Sequence, residues 1–210
     1  MNPKTIKYAR GMTPYKTQVC ANLSPSGQRG FRYIEFDDKE QMVAEMHKHP
    51  IGLVFIIVPA ILIIVIILSM SFALAANIHR IDLAGVARAT TVRVAVLALG
   101  IILSIFIAIV SAIGVIVYRS SVVFLTNEKI AEVLYTSLFN RKTIQLGIGR
   151  VEDVTVLQKG ILPRMFDFGT LIVETAGETE LLKFPYIPKP SQNSQMIIKC
   201  HEDSIKQYGN

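Results

Sequence analysis

His47 and His49 are the residues whose type would suit a metal ion, and they stand just before a long apolar run. On a helix, positions two apart point to different faces, and no further His or Cys lies nearby in the sequence. Cys200 and His201 have the types of a thiol nucleophile and its base, but adjacent helix positions also diverge. The sequence therefore predicts neither a metal site nor a Cys-His site.

Motifs for common cofactors and reactions are missing from the sequence. It contains no phosphate-binding loop, no glycine fingerprint for dinucleotides and no HExxH. The serines that follow the apolar runs have no base close to them in sequence, so a Ser-His-Asp arrangement is not indicated. We predict that the protein is not an enzyme and requires no cofactor.

The charge pattern bounds the choice of partner. The net charge is +6, and the basic residues are spread along the chain, so the sequence predicts no nucleic-acid partner. A modest basic excess can instead attract anionic lipid headgroups. The two cysteines, Cys20 and Cys200, stand far apart in the sequence, and we predict two free thiols.

Four residues are the candidates for an interaction surface: Arg141, Lys142, Arg164 and Phe166. Adjacent cations such as Arg141 and Lys142 are either solvated surface or a contact for headgroups, and the sequence favours solvated surface. Arg164 and Phe166 belong to the connection 160–169, which is rich in large apolar residues. These form either a peptide-binding or membrane-dipping surface or anchors into the domain core, and we favour the anchors.

Two uncharged apolar runs, residues 51–76 and 94–118, dominate the sequence. Each is longer than the roughly 20 residues that a helix needs to cross a bilayer. We predict two transmembrane helices joined by the short loop 77–93. Two spans put both termini on one side, and we expect the cytoplasmic side, because a short loop crosses more easily than two long flanks.

Small residues recur every four positions in the second run, at Gly100, Ser104, Ala108 and Ala112. Such a strip lets another backbone approach closely. It packs either against the first run of the same chain, which we favour, or against a second copy. Neither run contains Asp, Glu, Lys, Arg or His, and this argues against an ion pathway or a transport site.

The first fifty residues divide into two parts. Residues 1–30 mix basic and turn-forming residues without an apolar period, and we predict a flexible basic tail. Residues 31–50 form the predicted juxtamembrane segment. It begins with a strand-like alternation and turns helical in character around residues 40–46.

Residues 119–210 read as a separate domain of short strands. Alternating apolar positions predict strands within six segments, with a seventh in 161–168 left open: 121–126, 130–138, 143–148, 151–157, 170–175 and 180–186. A helix beginning near Ser191 carries an apolar face. The predicted fold class is α+β, with a transmembrane hairpin followed by a sandwich or partly open barrel that the last helix caps.

The chain resembles the bacterial pleckstrin-homology-like domains found in membrane-flanked proteins. The resemblance rests on the final helix and on three stretches: EMHKHPIG at 45–52, VVFLTNEKI at 122–130 and RVEDVTVLQKGILPRMFDFGTLIVETAG at 150–177. It implies a seven-stranded sandwich with a carboxy-terminal helix, held at the cytoplasmic membrane face and without enzyme activity. The basic cluster that phosphoinositide-binding relatives carry on the first hairpin is missing, since Lys129 stands there beside Glu128.

These observations lead to one expected function and one alternative. With the source that the resemblance implies, we expect a membrane-anchored, non-catalytic binding or scaffolding module at the inner face of a bacterial cytoplasmic membrane, where it recognises a protein partner or a lipid. Its expected partners are the bilayer, a protein or a second copy, and anionic headgroups. The alternative is a structural or accessory subunit of a larger transport or secretion assembly.

Overall fold

Two units divide the chain, and one of them is assembled from both sides of the apolar segment. The first unit comprises residues 1–49 and 117–210, and the second comprises residues 50–116. The computed structural model describes residues 14–37, 40–77, 89–175 and 181–208. The apolar segment is therefore an insertion in the first unit.

The two apolar runs form long helices, as predicted. The first of these helices is Ile51–Asn77, and the second is Ala89–Ser120. By length and composition, both are long and apolar enough to cross a membrane. Residues 78–88 of the predicted loop lie outside the described residues.

Half of the small-residue strip packs against the first apolar helix within the same chain. A Cβ placed on Gly100 would clash with the Ser71 hydroxyl, so no larger residue fits there without movement. Ser104 is buried, and its hydroxyl donates a hydrogen bond to the Gly100 carbonyl. Ala108 and Ala112 are exposed instead and line an open groove with Ala60.

The first unit contains two antiparallel sheets. The four-stranded sheet has the order β1 (Met42–His47), β2 (Val122–Thr126), β3 (Lys129–Tyr135) and β4 (Arg141–Gly147). The three-stranded sheet has the order β5 (Val151–Leu157), β6 (Phe168–Thr175) and β7 (Leu182–Pro188). All six predicted strands are present with small shifts of their ends. The predicted turn at 176–178 lies outside the described residues.

The seventh strand lies before the apolar helices. β1 pairs with β2, with Met46 opposite Val123 and His47 opposite Val122. One prediction was wrong: residues 40–46 are not helical, because most of them belong to β1. The segment 161–168, for which the sequence left a strand open, contains a short helix, Ile161–Met165. The sandwich therefore begins well before residue 119, and the apolar helices are inserted between its first two strands.

Apolar side chains from both sheets fill the space between them. The buried cluster consists of Met46, Val123, Leu125, Ile130, Leu146, Ile148, Val151, Leu171, Val173, Phe184, Ile187 and Ile197. Ile197 comes from the carboxy-terminal helix, Pro190–Tyr208, which begins near the predicted position. This helix closes the core because the two sheets leave that side of the cluster uncovered.

A second cluster covers the outer face of the four-stranded sheet. Two short helices, α1 (Pro14–Asn22) and α2 (Pro25–Phe31), lie before β1. Phe31 and Phe36 stack at 4.4 Å, and both form T-shaped contacts with Phe124 on β2. The prediction of a flexible tail over residues 1–30 was wrong from residue 14 onward, while residues 1–13 lie outside the described residues. The remaining helices in chain order are α3 (Ile51–Asn77), α4 (Ala89–Ser120), α5 (Ile161–Met165) and α6 (Pro190–Tyr208).

Candidate interaction site

Three strand connections meet at one end of the sandwich, which we call the exit end. It is the end where β1 stops at His47 and β2 starts at Val122. The β3–β4 turn lies there too, because Tyr135 pairs with Arg141 across the same antiparallel sheet. The β5–β6 connection joins them, since Phe168 at the start of β6 stacks on His49 at 5.2 Å. The chain leaves for the apolar helices and returns from them at this end.

An aromatic cluster holds the two points where the chain leaves and returns. The His49 N–H donates a hydrogen bond to the Tyr186 carbonyl at 2.6 Å, and the Tyr118 hydroxyl donates one to the His49 carbonyl at 2.8 Å. Phe168 stacks on both His49 and Tyr186. The chain is therefore held to the three-stranded sheet both where it leaves the sandwich, at His49, and where it returns, at Tyr118.

Two opposite charges, the buried Glu132 and the half-buried Lys48, influence each other beside the points where the chain leaves and returns. Glu132 shares the inward-facing side of β3 with Ile130, and Lys48 follows β1. Burial raises the pKa of the Glu132 carboxyl, and the charges of Lys48 and Lys142 oppose that rise. Burial likewise lowers the pKa of the Lys48 amine, against the charge of Glu132. Each charge therefore partly compensates the other for the loss of water.

The β3–β4 turn presents two apolar side chains to solvent at the exit end. Phe139 is 99% exposed and Leu138 is 45% exposed. The turn itself is ordered, because the Ser137 hydroxyl accepts hydrogen bonds from the N–H groups of Phe139 and Asn140. The exposed ring thus stands on a defined turn.

The β5–β6 connection presents a second apolar surface. Ile161 is 82% exposed, Met165 67% and Phe166 43%. The Gln158 side-chain amide donates a hydrogen bond to the Phe168 carbonyl at 3.1 Å, which fastens the base of the connection. The sequence favours the large apolar residues of this connection as anchors in the core. That prediction is wrong for Ile161, Met165 and Phe166, which are exposed, whereas Phe168 is buried.

All four predicted interaction residues lie at the exit end: Arg141 and Lys142 begin β4 directly after the β3–β4 turn, and Arg164 and Phe166 lie in the β5–β6 connection. The Arg141 guanidinium lies 3.4 Å from the centre of the Tyr33 ring, so a neighbouring aromatic group occupies it. Lys142 and Arg164 are exposed, and Phe166 is partly exposed. The sequence suggested Arg141 with Lys142 and Arg164 with Phe166 as two separate candidates. The pairing of strands that are distant in the sequence brings both to one end of the sandwich, and their role in binding stays a prediction.

Ser24, Glu45 and His47 form a polar cluster on the outer face of the four-stranded sheet. The Ser24 hydroxyl donates to Glu45 Oε1 at 2.6 Å, and the Ser24 N–H donates to Glu45 Oε2 at 3.0 Å. His47 Nε2 lies 2.8 Å from Glu45 Oε1 and 3.0 Å from Ser24 Oγ. A catalytic triad uses the two ring nitrogens separately, one for the acid and one for the serine. Here one nitrogen meets both, so the cluster fastens α2 to β1.

Ser24 also begins α2. Its hydroxyl accepts a hydrogen bond from the Gly27 N–H, as the cap of a helix that has Pro25 in its first turn. The contact between Ser24 and Glu45 was not predicted from the sequence. The Ser-Pro pair was the available signal for a helix start, but nothing in the sequence brings Glu45 to it.

A second polar cluster surrounds the buried Glu40. Its carboxylate accepts a hydrogen bond from the Thr126 hydroxyl at 2.6 Å and pairs with Lys129 Nζ at 3.1 Å. Asp37 and Glu128 bring two more carboxylates close enough to share a cation with it. Lys129 already supplies the positive charge, so this cluster is a buried ion pair that ties the segment before β1 to the β2–β3 turn.

The Glu45 cluster predicts a loss of stability in acid. Burial acts to raise the pKa of the Glu45 carboxyl, but hydrogen bonds from His47 and Ser24 bring it below its ordinary 4.5. A lowered folded-state pKa gives stability that is present above the unfolded-state pKa and is lost as pH falls through the folded-state pKa. We expect the melting temperature of the wild type to fall more steeply below about pH 4.5 than that of Glu45→Gln. A constant difference between the two curves at every pH would contradict this assignment.

A sandwich of four and three antiparallel strands, closed by a carboxy-terminal helix, is a PH-like domain, as the resemblance implied. The family model described as "Bacterial PH domain" matches residues 41–194, from the residue before β1 into α6. The chain belongs to this bacterial PH domain family. Such domains are typically non-catalytic. No curated protein and no solved structure matches the chain.

Proposed function

We propose that the protein is a membrane-anchored, non-catalytic binding module at the inner face of a bacterial membrane, where its PH-like domain recognises a protein partner or a lipid. The observation that carries this proposal is the position of the apolar helices. They replace the β1–β2 connection, so the chain passes from the sandwich into an apolar helix within four residues of His47 and returns directly into Val122. Both crossings tie the domain to the anchor.

The composition of the apolar runs supports an anchor over a transport path. Residues 51–76 and 94–118 contain no Asp, Glu, Lys, Arg or His. Ion and proton pathways in membranes depend on such residues. Anchoring confines the domain to the membrane surface and raises its effective concentration toward other membrane components, which makes weak contacts useful.

Membrane extraction tests the anchor directly in the full-length chain. After expression in bacteria, we expect the protein to stay in the membrane pellet through alkaline carbonate washing and to be released by detergent. Release by carbonate alone would overturn the proposal. Impermeant thiol labelling of Cys200 in a Cys20→Ser variant then tests the side, with labelling expected only after the cells are opened.

A groove between the apolar helices favours a second candidate function, a subunit of a larger membrane assembly. Ala60 on α3 and Ala108 and Ala112 on α4 line this groove, and the small side chains leave room for a partner helix. The Gly100 half of the strip is already filled by Ser71. The groove is thus the part of the strip that a partner could occupy.

Substitution at Ala108 separates this candidate from a simple anchor. In a subunit, we expect Ala108→Leu to abolish a complex that is stable in detergent, because the larger side chain fills the groove. The matched control is Ile105→Leu, which alters a side chain that is 54% exposed and keeps its volume. Detection of a monomer alone for the wild-type chain in mild detergent would count against the subunit.

A further inference from the structure

The exit end carries the most exposed large apolar side chains of the sandwich unit. Among the residues that the structure describes in that unit, Phe139 at 99%, Ile161 at 82% and Met165 at 67% are the three highest. They belong to two connections that are far apart in sequence, the β3–β4 turn and the β5–β6 connection. Exposure of each side chain to water is unfavourable in free energy, so a binding partner that covers all three at this end would be stabilised.

Both connections are held in place by polar contacts that leave the apolar groups outside. In the β3–β4 turn, the Ser137 hydroxyl accepts from two N–H groups. In the β5–β6 connection, the Phe166 N–H donates to the Leu162 carbonyl at 3.0 Å, and Gly160 starts the helix with a φ of +100°. A positive φ is readily adopted by glycine alone, so this residue type fits the sharp entry into α5. The two surfaces are therefore preformed.

The strand topology indicates what kind of partner would cover these side chains. The β1–β2 connection at this same end is the one that contains the apolar helices. Three residues separate His47 from α3, and one residue separates α4 from Val122. An extended chain of three residues reaches only about 10 Å. If the helices cross a bilayer, the exit end stands at its surface.

We propose that the β3–β4 turn and the β5–β6 connection together form a membrane-contact surface, which inserts Phe139, Ile161 and Met165 into the interfacial region of the bilayer that holds the anchor. This inference rests on the proposed anchoring function. The occupant is the lipid surface, because the covalent attachment of the helices at this end brings lipid to it.

The charges beside the apolar groups suit an anionic lipid surface. Lys142 follows the β3–β4 turn, and Lys159 and Arg164 flank Ile161 in the β5–β6 connection; all three are exposed. Basic groups next to apolar side chains are the usual composition of interfacial membrane segments, where the apolar groups enter and the cations meet headgroups. The surface needs no specific headgroup pocket.

The absence of tryptophan from the sequence gives a direct test. Phe139→Trp and Ile161→Trp each introduce a single fluorescent reporter at a strongly exposed position. Gly149→Trp is the matched control at the opposite end of the sandwich, between β4 and β5, where a Cβ would meet nothing within 4 Å. Each full-length variant is reconstituted into phosphatidylglycerol and phosphatidylethanolamine vesicles, with or without brominated acyl chains.

We expect brominated lipid to quench the Phe139→Trp and Ile161→Trp reporters at least about two-fold more than the Gly149→Trp reporter, because interfacial side chains reach the boundary with the acyl chains. Equal quenching in all three variants would overturn the inference, and so would strong quenching at one connection alone. Flotation of the vesicles separates this from the anchor. If the protein floats with the vesicles but none of the three reporters is quenched, the anchor stands and the membrane-contact surface is overturned. The exposed side chains would then be left for a protein partner. Protein that does not float overturns both.

Discussion

Phe124→Ala should lower the free energy of unfolding by about 3–5 kcal/mol, the largest loss we expect from any single truncation in the outer cluster. Phe124 is fully buried and forms T-shaped contacts with the rings of Phe31 and Phe36. Truncation removes apolar contact on the outer face of β2 and leaves a cavity beneath two aromatic rings. Urea unfolding in mild detergent, followed by circular dichroism, measures the change.

Phe139→Ala is the matched control for this truncation. It deletes the same group at a position that is 99% exposed, so we expect a change within about 0.5 kcal/mol in detergent. A loss for Phe124→Ala no larger than that for Phe139→Ala would contradict the packing of the amino-terminal segment on the sheet.

Gly30→Val should detach α1 and α2 from the sheet while leaving the sandwich folded. A Cβ on Gly30 would lie 2.7 Å from Val122 Cγ1 and 3.2 Å from the Phe124 ring, both of which are buried. Overpacking of this kind costs about 1–3 kcal/mol, and helices as short as these have little stability of their own to resist it. We expect rapid proteolytic cleavage within residues 14–37 and protection of the strands.

The control for Gly30→Val is Gly147→Val, at a glycine whose Cβ would meet nothing within 4 Å. Cleavage that is equally slow in both variants would mean that α2 does not depend on close approach to the sheet. Cleavage that also removes the strands would mean that the helices and the sandwich unfold as one unit.

The parts of the fold that the sequence predicted correctly are those with a strong local signal. Two uncharged apolar runs specify helices because their length and composition allow little else. Clean alternation specified the six strands after them, since each strand buries one face against the core. The apolar face of the last helix indicated a cap on a sandwich or partly open barrel, and the family resemblance implied the seven-stranded sandwich.

β1 was not predicted because one of its two faces carries polar residues, although that face is covered by the amino-terminal segment. Met46 enters the core, whereas Glu45 and His47 point to the outer side, where Ser24 binds them. Without knowledge of that cover, the spacing of polar and apolar residues resembles a polar helix. The packing of α2 on this face was not predicted either, because α2 has the composition of a loop. Its two buried glycines allow close approach to the sheet, which the sequence alone does not indicate.

The exit end could not be predicted from local sequence. Its parts come from residues near 48, 118, 139 and 161, and their proximity depends on the pairing of strands across a long insertion. Non-local register of this kind is set by the whole core rather than by any one segment. The sequence singled out Arg141, Lys142, Arg164 and Phe166 as interaction candidates, but it supplied no reason to place them together.

The central claim is that the strand before the apolar helices belongs to the PH-like sandwich and that the helices are an insertion. Its most direct test replaces residues 50–116 with a short Gly-Ser linker, which is feasible because Tyr118 and His49 are hydrogen-bonded at 2.8 Å. We expect this protein to be soluble and to unfold cooperatively. Residues 119–210 alone should not, because β2 loses its pairing with β1 and the core loses Met46. Equal stability of the two proteins would contradict the account.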